Sequence, residues 1–145
     1  MYHYQECGLR NVWLVNGYDM HTTPYGDGVS IHDIEGLHRA IARGLVNKAA
    51  KLTGSELRFL RKEMGLSQAK LALILGNEDQ TVALWEKRGT QPKIADRFVR
   101  ALYREFDEGN AHIRDMIDLL VDADREEREE RINFVQGSQG WKVAA

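Results

Sequence analysis

The side chains best suited to chemistry lie in residues 66–89, "LSQAKLALILGNEDQTVALWEKRG", and the chemistry that suits them is the reading of DNA. Gln80 can pair with adenine through two hydrogen bonds, and Thr81 can reach a phosphate or a base edge. Ala83 and Leu84 can contact the methyl group of thymine. This stretch therefore predicts a surface that reads base edges in a major groove.

Charged residues surround these candidates, and two of them have the wrong sign for a phosphate backbone. Glu78 and Asp79 can stabilise a helix start through the helix dipole. Alternatively, Asp79 can accept a hydrogen bond from the amino group of cytosine. Both interpretations are compatible with DNA binding. Contacts with phosphate would then come from the cations around the motif, which are Lys70, Lys87, Arg88 and Lys93.

Capping signals place these candidates on two short helices joined by a tight turn. Ser67 is expected to cap the first helix, which ends at a glycine. Asn77 is expected to cap the second helix, with Gln80 at the position of a capping box. Val82 and Trp85 would form the buried side of that helix. Such a pair of helices can present the start of the second helix to a major groove.

Further helices are predicted on both sides of this pair. Asp33 can cap an earlier helix, Thr53 and Glu56 form a capping box for the next, which ends at Gly65, and Pro92 starts a later one. Their expected inward positions are Ile34, Leu37, Ile41 and Leu45, then Leu57, Leu60 and Met64, and then Ile94, Phe98, Ala101 and Leu102. Residues 111–132 read as a longer, increasingly charged helix, and the tail after it as flexible.

The amino-terminal residues carry β signals instead. Asn16-Gly17 lies between apolar-rich runs, which is typical of a two-residue hairpin turn. Such a turn would put four apolar side chains on one face for burial, namely Trp13, Val15, Tyr18 and Met20. The stretch "TPYGDG" then predicts a second turn, and "VSI" a third short strand.

The charge is distributed unevenly along the 145 residues, although the net charge is only −2. Residues 47–104 contain twelve Lys and Arg against six Asp and Glu, a net charge of +6. Residues 1–46 have a net charge of −2, and residues 105–141 of −7. A basic central segment between acidic ones favours a nucleic-acid-binding domain with non-binding flanks. A solvated acidic helix beside an ordinary domain would produce the same distribution.

Other classes of protein are disfavoured by what the sequence lacks. No apolar run is long enough for a membrane span, and the first residues do not have the pattern of a signal peptide, so we expect a cytoplasmic protein. Cys7 is the single cysteine, and the histidines match no spacing of metal ligands. No phosphate-binding glycine loop or catalytic pair of residues is evident. We therefore expect neither an enzyme nor a bound metal or cofactor.

The motifs "FLRKEMGLSQAKLALILG" and "QTVALWEKRG", with Pro92 shortly after, resemble the helix-turn-helix of XRE (Cro/CI-like) regulators. The similarity covers about residues 53–103 and is narrower to the DNA-binding domain of MqsA-type antitoxins. The resemblance implies that Ser67 and Gln68 hold phosphate and that Gln80 and Thr81 read bases. It also implies a structural ion pair that joins two helices of the domain, between Arg61 and Glu86.

Two features depart from the family pattern. Asn77 and Glu78 replace the usual small apolar residue and Ser or Thr cap that follow the glycine. In addition, MqsA-type antitoxins carry a zinc domain built from two cysteine pairs, and a chain with Cys7 alone cannot form that site. The neutralisation of a toxin is therefore not implied by the resemblance.

Together these signals predict a mainly α protein with a lambda-repressor-like helix-turn-helix domain in residues 47–104. A β-hairpin and helix segment precedes it in residues 1–46, and an acidic helix with a flexible tail follows in residues 105–145. The expected function is transcriptional regulation, as a repressor that binds a palindromic operator as a homodimer. The alternative is an antitoxin-like or adaptor protein whose main partner is another protein, such as a toxin. The dimer surface is expected at the helix of 111–123 or at the amino-terminal strand face with Trp13 and Tyr18, and plain core packing would account equally well for both apolar surfaces.

Overall fold

Residues 1–109, Asp115 and 131–144 are described by the structure, a computed structural model. Within these ranges the fold combines five α-helices with three two-stranded antiparallel sheets. The helices are α1 (Ile34–Asn47), α2 (Gly54–Glu63), α3 (Gln68–Leu75), α4 (Asp79–Arg88) and α5 (Lys93–Asp107). The strands are β1 (Tyr2–His3), β2 (Trp13–Leu14), β3 (Tyr18–Thr23), β4 (Gly26–Ile31), β5 (Phe134–Gly137) and β6 (Gly140–Val143).

The amino-terminal strands pair differently from the prediction. Asn16-Gly17 does not close a hairpin, because β2 pairs with the first strand, β1, and not with β3. Strand β3 instead pairs with β4 across a turn at Pro24-Tyr25, which agrees with the second predicted turn and extends the strand predicted at "VSI". The bend at Gly17 is fixed by its carbonyl, which accepts a hydrogen bond of 2.8 Å from the backbone N–H of His32.

The predicted burial of one face of the amino-terminal strands is also wrong. Trp13, Val15 and Met20 are 55%, 77% and 58% exposed. The buried apolar residues of this segment are Leu14, on the face predicted to point outward, together with Tyr4 and Leu9. Since β2 lies beside β1, its inward side is set by the first residues of the chain, which the turn signal does not take into account.

The predicted starts of α1, α2 and α3 and the predicted end of α2 are confirmed. The side chain of Asp33 accepts a hydrogen bond from the N–H of Gly36, and Thr53 and Glu56 form the complete capping box of α2. Gly65 follows the end of α2 with a φ of 69°. The Ser67 side chain accepts from the Lys70 N–H at the start of α3.

A single hydrophobic core joins α1 to the four later helices. Leu45 and Leu9 belong to the same buried cluster as Leu57 and Leu60 of α2 and Val99 of α5. The amino-terminal segment is therefore packed on the helices through α1 and the loop around Leu9. This shared core fixes the start of α2, and with it the position of the helices that follow.

Helix α5 turns a different side towards the core than its apolar pattern predicts. Ile94 is 77% exposed, Ala101 is exposed, and Phe98 and Leu102 are only half-buried. The buried residues are Ala95, Asp96, Val99 and Tyr103. The carboxylate of Asp96 explains the rotation, because it accepts a hydrogen bond of 2.9 Å from the backbone N–H of Leu52.

The connection between α1 and α2 is held by side chains of the carboxyl-terminal half of the domain. Arg100 donates to the carbonyl oxygens of Lys48 and Ala50, both at 2.6 Å. The buried amide of Gln91 donates to the carbonyl of Leu52 at 2.7 Å. A segment without helix or strand thus has its backbone groups satisfied by fixed side chains, as burial requires.

A second polar centre lies at Glu56, whose side chain is almost fully buried. Its carboxylate accepts hydrogen bonds from Lys48 Nζ at 2.6 Å, from the Thr53 N–H at 2.8 Å and from Asn11 Nδ2 at 3.5 Å. Burial by itself would raise the pKa of Glu56. The hydrogen bonds of Lys48 and Thr53 and the charge of Lys48 outweigh it, so the pKa lies below its usual value of 4.5.

The carboxyl-terminal residues differ from the flexible tail that the sequence predicts. Strands β5 and β6 form an antiparallel hairpin with Ser138-Gln139 at its turn. The pairing extends by one hydrogen bond, from the Ala144 N–H to the Asn133 carbonyl. The helix predicted over 111–132 lies outside the described residues, apart from Asp115, which is helical, and residues 131–132, which are not.

The close approach of α2 and α4 yields a test of the packing. A Cβ atom on Gly54, the first residue of α2, would lie 2.8 Å from the carbonyl oxygen of Trp85 and closer still to that of Glu86. We expect Gly54→Ala to lower the free energy of unfolding by about 1–3 kcal/mol, because backbone atoms cannot give way as a flexible side chain does. Urea unfolding followed by circular dichroism measures this change.

Gly44→Ala is the matched control. Gly44 is an exposed residue of α1 whose Cβ would meet no atom within 4 Å. This substitution should raise the free energy of unfolding by roughly 0.5–1 kcal/mol, since alanine favours a helix interior. An equal loss of stability in both variants would contradict the backbone contact between α2 and α4.

The lowered pKa of Glu56 predicts how stability depends on pH. The ionised carboxylate stabilises the fold fully above its unfolded value near 4.5. This stabilisation is lost as the pH falls below 4.5 towards the folded pKa, because the unfolded chain binds the proton first. In Glu56→Gln, stability should be lower at pH 7 and should fall less steeply below pH 4.5. Chemical unfolding at several pH values between 3 and 7 (roughly the window in which carboxylates titrate) tests this, and identical acid dependence in both proteins would refute it.

Candidate nucleic-acid interface

The turn between α3 and α4 is built by the end of the first helix. Gly76 has a φ of 74°, and the N–H of Asn77 returns to the Ala72 carbonyl at 2.8 Å. The predicted cap at Asn77 is therefore wrong, because this residue closes α3 and does not open α4. Glu78 occupies the cap position without a side-chain hydrogen bond. This one-residue shift also removes Gln80 from the capping-box position.

Asp79 begins α4, and its carboxylate accepts a hydrogen bond of 3.0 Å from the N–H of Gln80. A negative charge at this position compensates the free N–H groups of the helix start. The structure thus gives Asp79 a local role that needs no DNA. Asp79 is exposed, and the contact with cytosine remains a prediction.

Helix α4 separates into a packing side and an outer stripe that is exposed except at the half-buried Ala83. Val82 and Trp85 are buried as predicted. At about 100° per residue, Asp79, Ala83 and Lys87 follow one another on the opposite side. Gln80 and Leu84 flank this line, both exposed, with Leu84 at 45%. We call these five residues the α4 stripe.

The start of α3 faces the same space as the α4 stripe. Ser67 and Gln68 line one open depression together with Asp79, Ala83 and Lys87. The Ser67 oxygen accepts the Lys70 N–H at 3.0 Å, which leaves the hydroxyl proton available for donation. Five residues predicted as DNA-binding therefore meet at one surface. They come from two helices and lie at most 20 positions apart in the sequence.

The ion pair that the family resemblance implies is present. Arg61 donates to Glu86 through Nε at 2.6 Å and through Nη2 at 2.9 Å, and its Nη1 donates to the Leu66 carbonyl at 2.8 Å. Gln68 Nε2 also donates to Glu86, at 3.1 Å. The pair lies at the floor of the depression and holds three elements together: α2, the turn before α3, and α4. Gln68 keeps one amide hydrogen for an outside acceptor.

The remaining candidates, with Gln80 and Leu84 among them, lie outside the lining of this depression. Thr81 is half-buried, about 200° around the helix from Asp79 and away from the α4 stripe. Arg88 is exposed at the end of α4, where its charge suits the helix dipole. Lys70 is half-buried on α3, and Lys93 is exposed at the start of α5.

Arg58 also lines the depression, and the sequence reasoning did not select it. It is exposed on α2, three residues before Arg61 and so on nearly the same side of that helix. That spacing is the signal that would have identified it. Neither Arg58 nor Lys87 forms an ion pair within the described residues. Both cations are thus available at the rim of the depression.

The described residues contain no group of three or more His, Cys, Asp and Glu side chains arranged to hold a metal ion. Over the same residues, no helix has the length and apolarity for a bilayer crossing. The chain matches no protein-family model, no curated protein and no solved structure.

The buried ion pair provides a test of what holds this surface. We expect Arg61→Met to lower the free energy of unfolding by about 3–5 kcal/mol, because Glu86 would keep its charge without a partner. The double variant Arg61→Met/Glu86→Leu should recover part of the loss, since it removes both charges. Urea unfolding of the three proteins measures the coupling between the two residues.

Arg43→Met is the control for this experiment. Arg43 forms an equally short pair with Asp107, at 2.7 Å, but its side chain is 57% exposed. Solvent screens such a pair, so its loss should cost far less than that of Arg61. Equal costs for the two arginines, or a double variant no more stable than Arg61→Met, would rule out a dominant role for the buried pair.

Proposed function

We propose that the protein is a sequence-specific DNA-binding regulator that uses α3 and α4 as a helix-turn-helix. The observation that supports this most directly is the depression that the start of α3 shares with Asp79, Ala83 and Lys87 of the α4 stripe. A helix that projects a stripe of mostly polar and small residues fits the major groove, which is about 12 Å wide. In this arrangement α4 is the reading helix and α3 lies across the phosphate backbone.

Phosphate binding is assigned to the cations and N–H groups around the stripe. Ser67, with its hydroxyl proton and the first N–H groups of α3, faces one side of the depression. Arg58 and Lys87 add positive charge at the rim. The segment 47–104 has a net charge of +6, which offsets the local charges of Glu78 and Asp79. These contacts give affinity for any DNA sequence and depend on salt.

Base reading is assigned to the middle of the stripe. Gln80 is exposed, and its amide can donate to and accept from adenine at the same time. Leu84, which is 45% exposed on a stripe of otherwise polar or small residues, suits a thymine methyl group. Ala83 lets the helix approach closely, because its side chain does not extend beyond one carbon. The preferred half-site should therefore contain adenine and thymine beside each other.

One reading helix rarely gives sufficient affinity, so we propose a homodimer on a palindromic operator. Two-fold symmetry would place the two α4 helices on half-sites about 34 Å apart, or a multiple of that spacing. Repression would follow if the operator overlaps a promoter. A partner protein in place of DNA is the competing proposal, and the experiment below separates the two.

The test compares two residues of the stripe that are about two helical turns apart. Binding sites are first selected from random or genomic DNA at about 150 mM salt, near physiological ionic strength. Gln80→Ala should then weaken binding to the selected site by roughly 1–3 kcal/mol and relax one base position, with little effect on unrelated DNA. Lys87→Ala should weaken binding to all sequences and reduce the slope of log K against log salt by about one.

Gln5→Ala serves as the control, because Gln5 is an exposed glutamine of the amino-terminal segment, outside α3 and α4. It should leave both affinities unchanged. If no DNA is enriched above background, or if Gln80→Ala and Lys87→Ala have the same effect on every sequence, the regulator proposal fails. The competing proposal of a protein partner would then become the better account of the exposed α4 stripe.

A further inference from the structure

The carboxyl-terminal hairpin has one apolar face that nothing in the described part of the chain buries. The register pairs Phe134 with Val143 and Gln136 with Trp141, and directly opposed residues of an antiparallel pair point to the same side. We call these four residues the hairpin face. Phe134, Trp141 and Val143 are 61%, 70% and 62% exposed.

A hairpin of this kind requires a covering partner. Two strands alone are at best marginally stable in water, and a hydrophobic face must pack against another layer for stability. Three large apolar side chains side by side on an exposed sheet are typical of an interaction surface. All eight residues of β5 and β6 are exposed, so the hairpin does not obtain that layer from the helical core described here.

We propose that the hairpin face is a dimer interface, packed across a two-fold axis against the same face of a second copy of this chain. The distribution of charge favours this occupant. Residues 132–144 contain a single charged side chain, Lys142, which lies opposite Val135 on the other face of the hairpin. Two identical copies therefore meet without like charges between them. The strongly charged stretch of residues 122–131 ends just before the hairpin.

The available area is of the size that a small dimer needs. A buried Phe or Trp side chain covers about 150–250 Å². Two copies of the hairpin face, together with Ile132 and the strand backbone of each copy, would therefore remove on the order of 1,000 Å² of surface from water. Specific interfaces begin near that size. A two-fold contact also closes on itself, since each copy uses the same patch, and thus stops at two chains. An interface at this lower limit should dissociate measurably at micromolar concentrations.

This surface is distinct from both dimer surfaces that the sequence predicts, which are the helix of 111–123 and the amino-terminal strands. The proposed interface deepens the proposed function and rests on that function for its biological role. A two-fold axis through the hairpins would relate two reading helices to the two halves of a palindrome. The existence of the dimer does not depend on DNA, so the two proposals can fail separately.

The test is sedimentation velocity of the full chain without DNA, at concentrations from about 1 to 100 μM, a range that spans weak specific association. The wild-type protein should convert from monomer to dimer over this range. Trp141→Glu should raise the dissociation constant at least about tenfold, because it places a charge in the centre of the apolar contact. Trp141→Phe should retain most of the association.

Val135→Glu is the matched control, since it adds the same charge to the same hairpin but on the opposite face, beside Lys142. It should dimerise like the wild type. Circular dichroism should show the same helix content for all variants, because the hairpin lies outside the core. Their unfolding midpoints should agree at a concentration at which the wild type is monomeric, since dimerisation itself stabilises the folded chain. A wild-type monomer at 100 μM, the highest concentration in the test, overturns the proposal. Species larger than a dimer would also overturn it. The same holds for a Trp141→Glu variant that dimerises as tightly as the wild type, or for an equal loss of dimerisation in Trp141→Glu and Val135→Glu.

A second readout separates this inference from the proposed function. If the wild type dimerises through Trp141 while Gln80→Ala leaves DNA binding unchanged, the dimer interface stands and the assignment of the reading helix fails. If Trp141→Glu binds an isolated half-site as the wild type does but loses its preference for the palindrome, both stand. If the variant keeps its full preference for the palindrome, the hairpin face is not the interface used on DNA.

Discussion

The candidate surface depends on one buried interaction, the ion pair between Arg61 and Glu86. Each charge would be costly by itself in this position. Together they bind each other through two hydrogen bonds, and the spare donors of Arg61 and Gln68 saturate the remaining groups. Because the bonds are directional, they fix α4 relative to α2 and to the start of α3. A hydrophobic core alone is less directional and would allow more sliding between these helices.

Two further polar centres extend this constraint to the rest of the core. Asp96 and Arg100 of α5 bind the backbone of the connection before α2, and Glu56 binds Lys48 and Asn11 on its amino-terminal side. All three centres are buried charges whose partners come from other elements. The helices are thus held in register by buried polar contacts at the edge of the apolar core. Helices α2 and α4 come closest at the start of α2, where Gly54 lies against the backbone of α4.

The outer strand pairs of the chain are held by local pairing and not, within the described residues, by buried polar contacts with the core. The paired strands β3 and β4, like β5 and β6, are mostly exposed, and their pairing is local. Such hairpins add little to the stability of the helical core, but they leave apolar side chains available for contacts between molecules. A rigid helical centre that reads DNA and a peripheral surface that joins two copies would together produce a two-fold regulator. The division between these two tasks would also explain why the acidic residues are concentrated away from α3 and α4.

Local signals in the sequence were sufficient for the helix starts at Asp33, Thr53 and Ser67, for the glycines that end α2 and α3, and for the buried pair of Val82 and Trp85. Caps and helical periodicity act over three or four residues, so the sequence contains them directly. The same is true of the candidate reading residues, of which Gln80 and Leu84 are exposed on the stripe as their positions require.

Tertiary structure decided what depends on distant partners. The strand before Asn16-Gly17 pairs with the first residues of the chain, and Asp96 rotates α5 away from its apolar pattern. Arg58 joins the candidate surface only because α2 is fixed against α4. In each case a hydrogen bond or contact across many residues outweighs a local preference worth about 1 kcal/mol or less, and no short stretch of sequence contains that information.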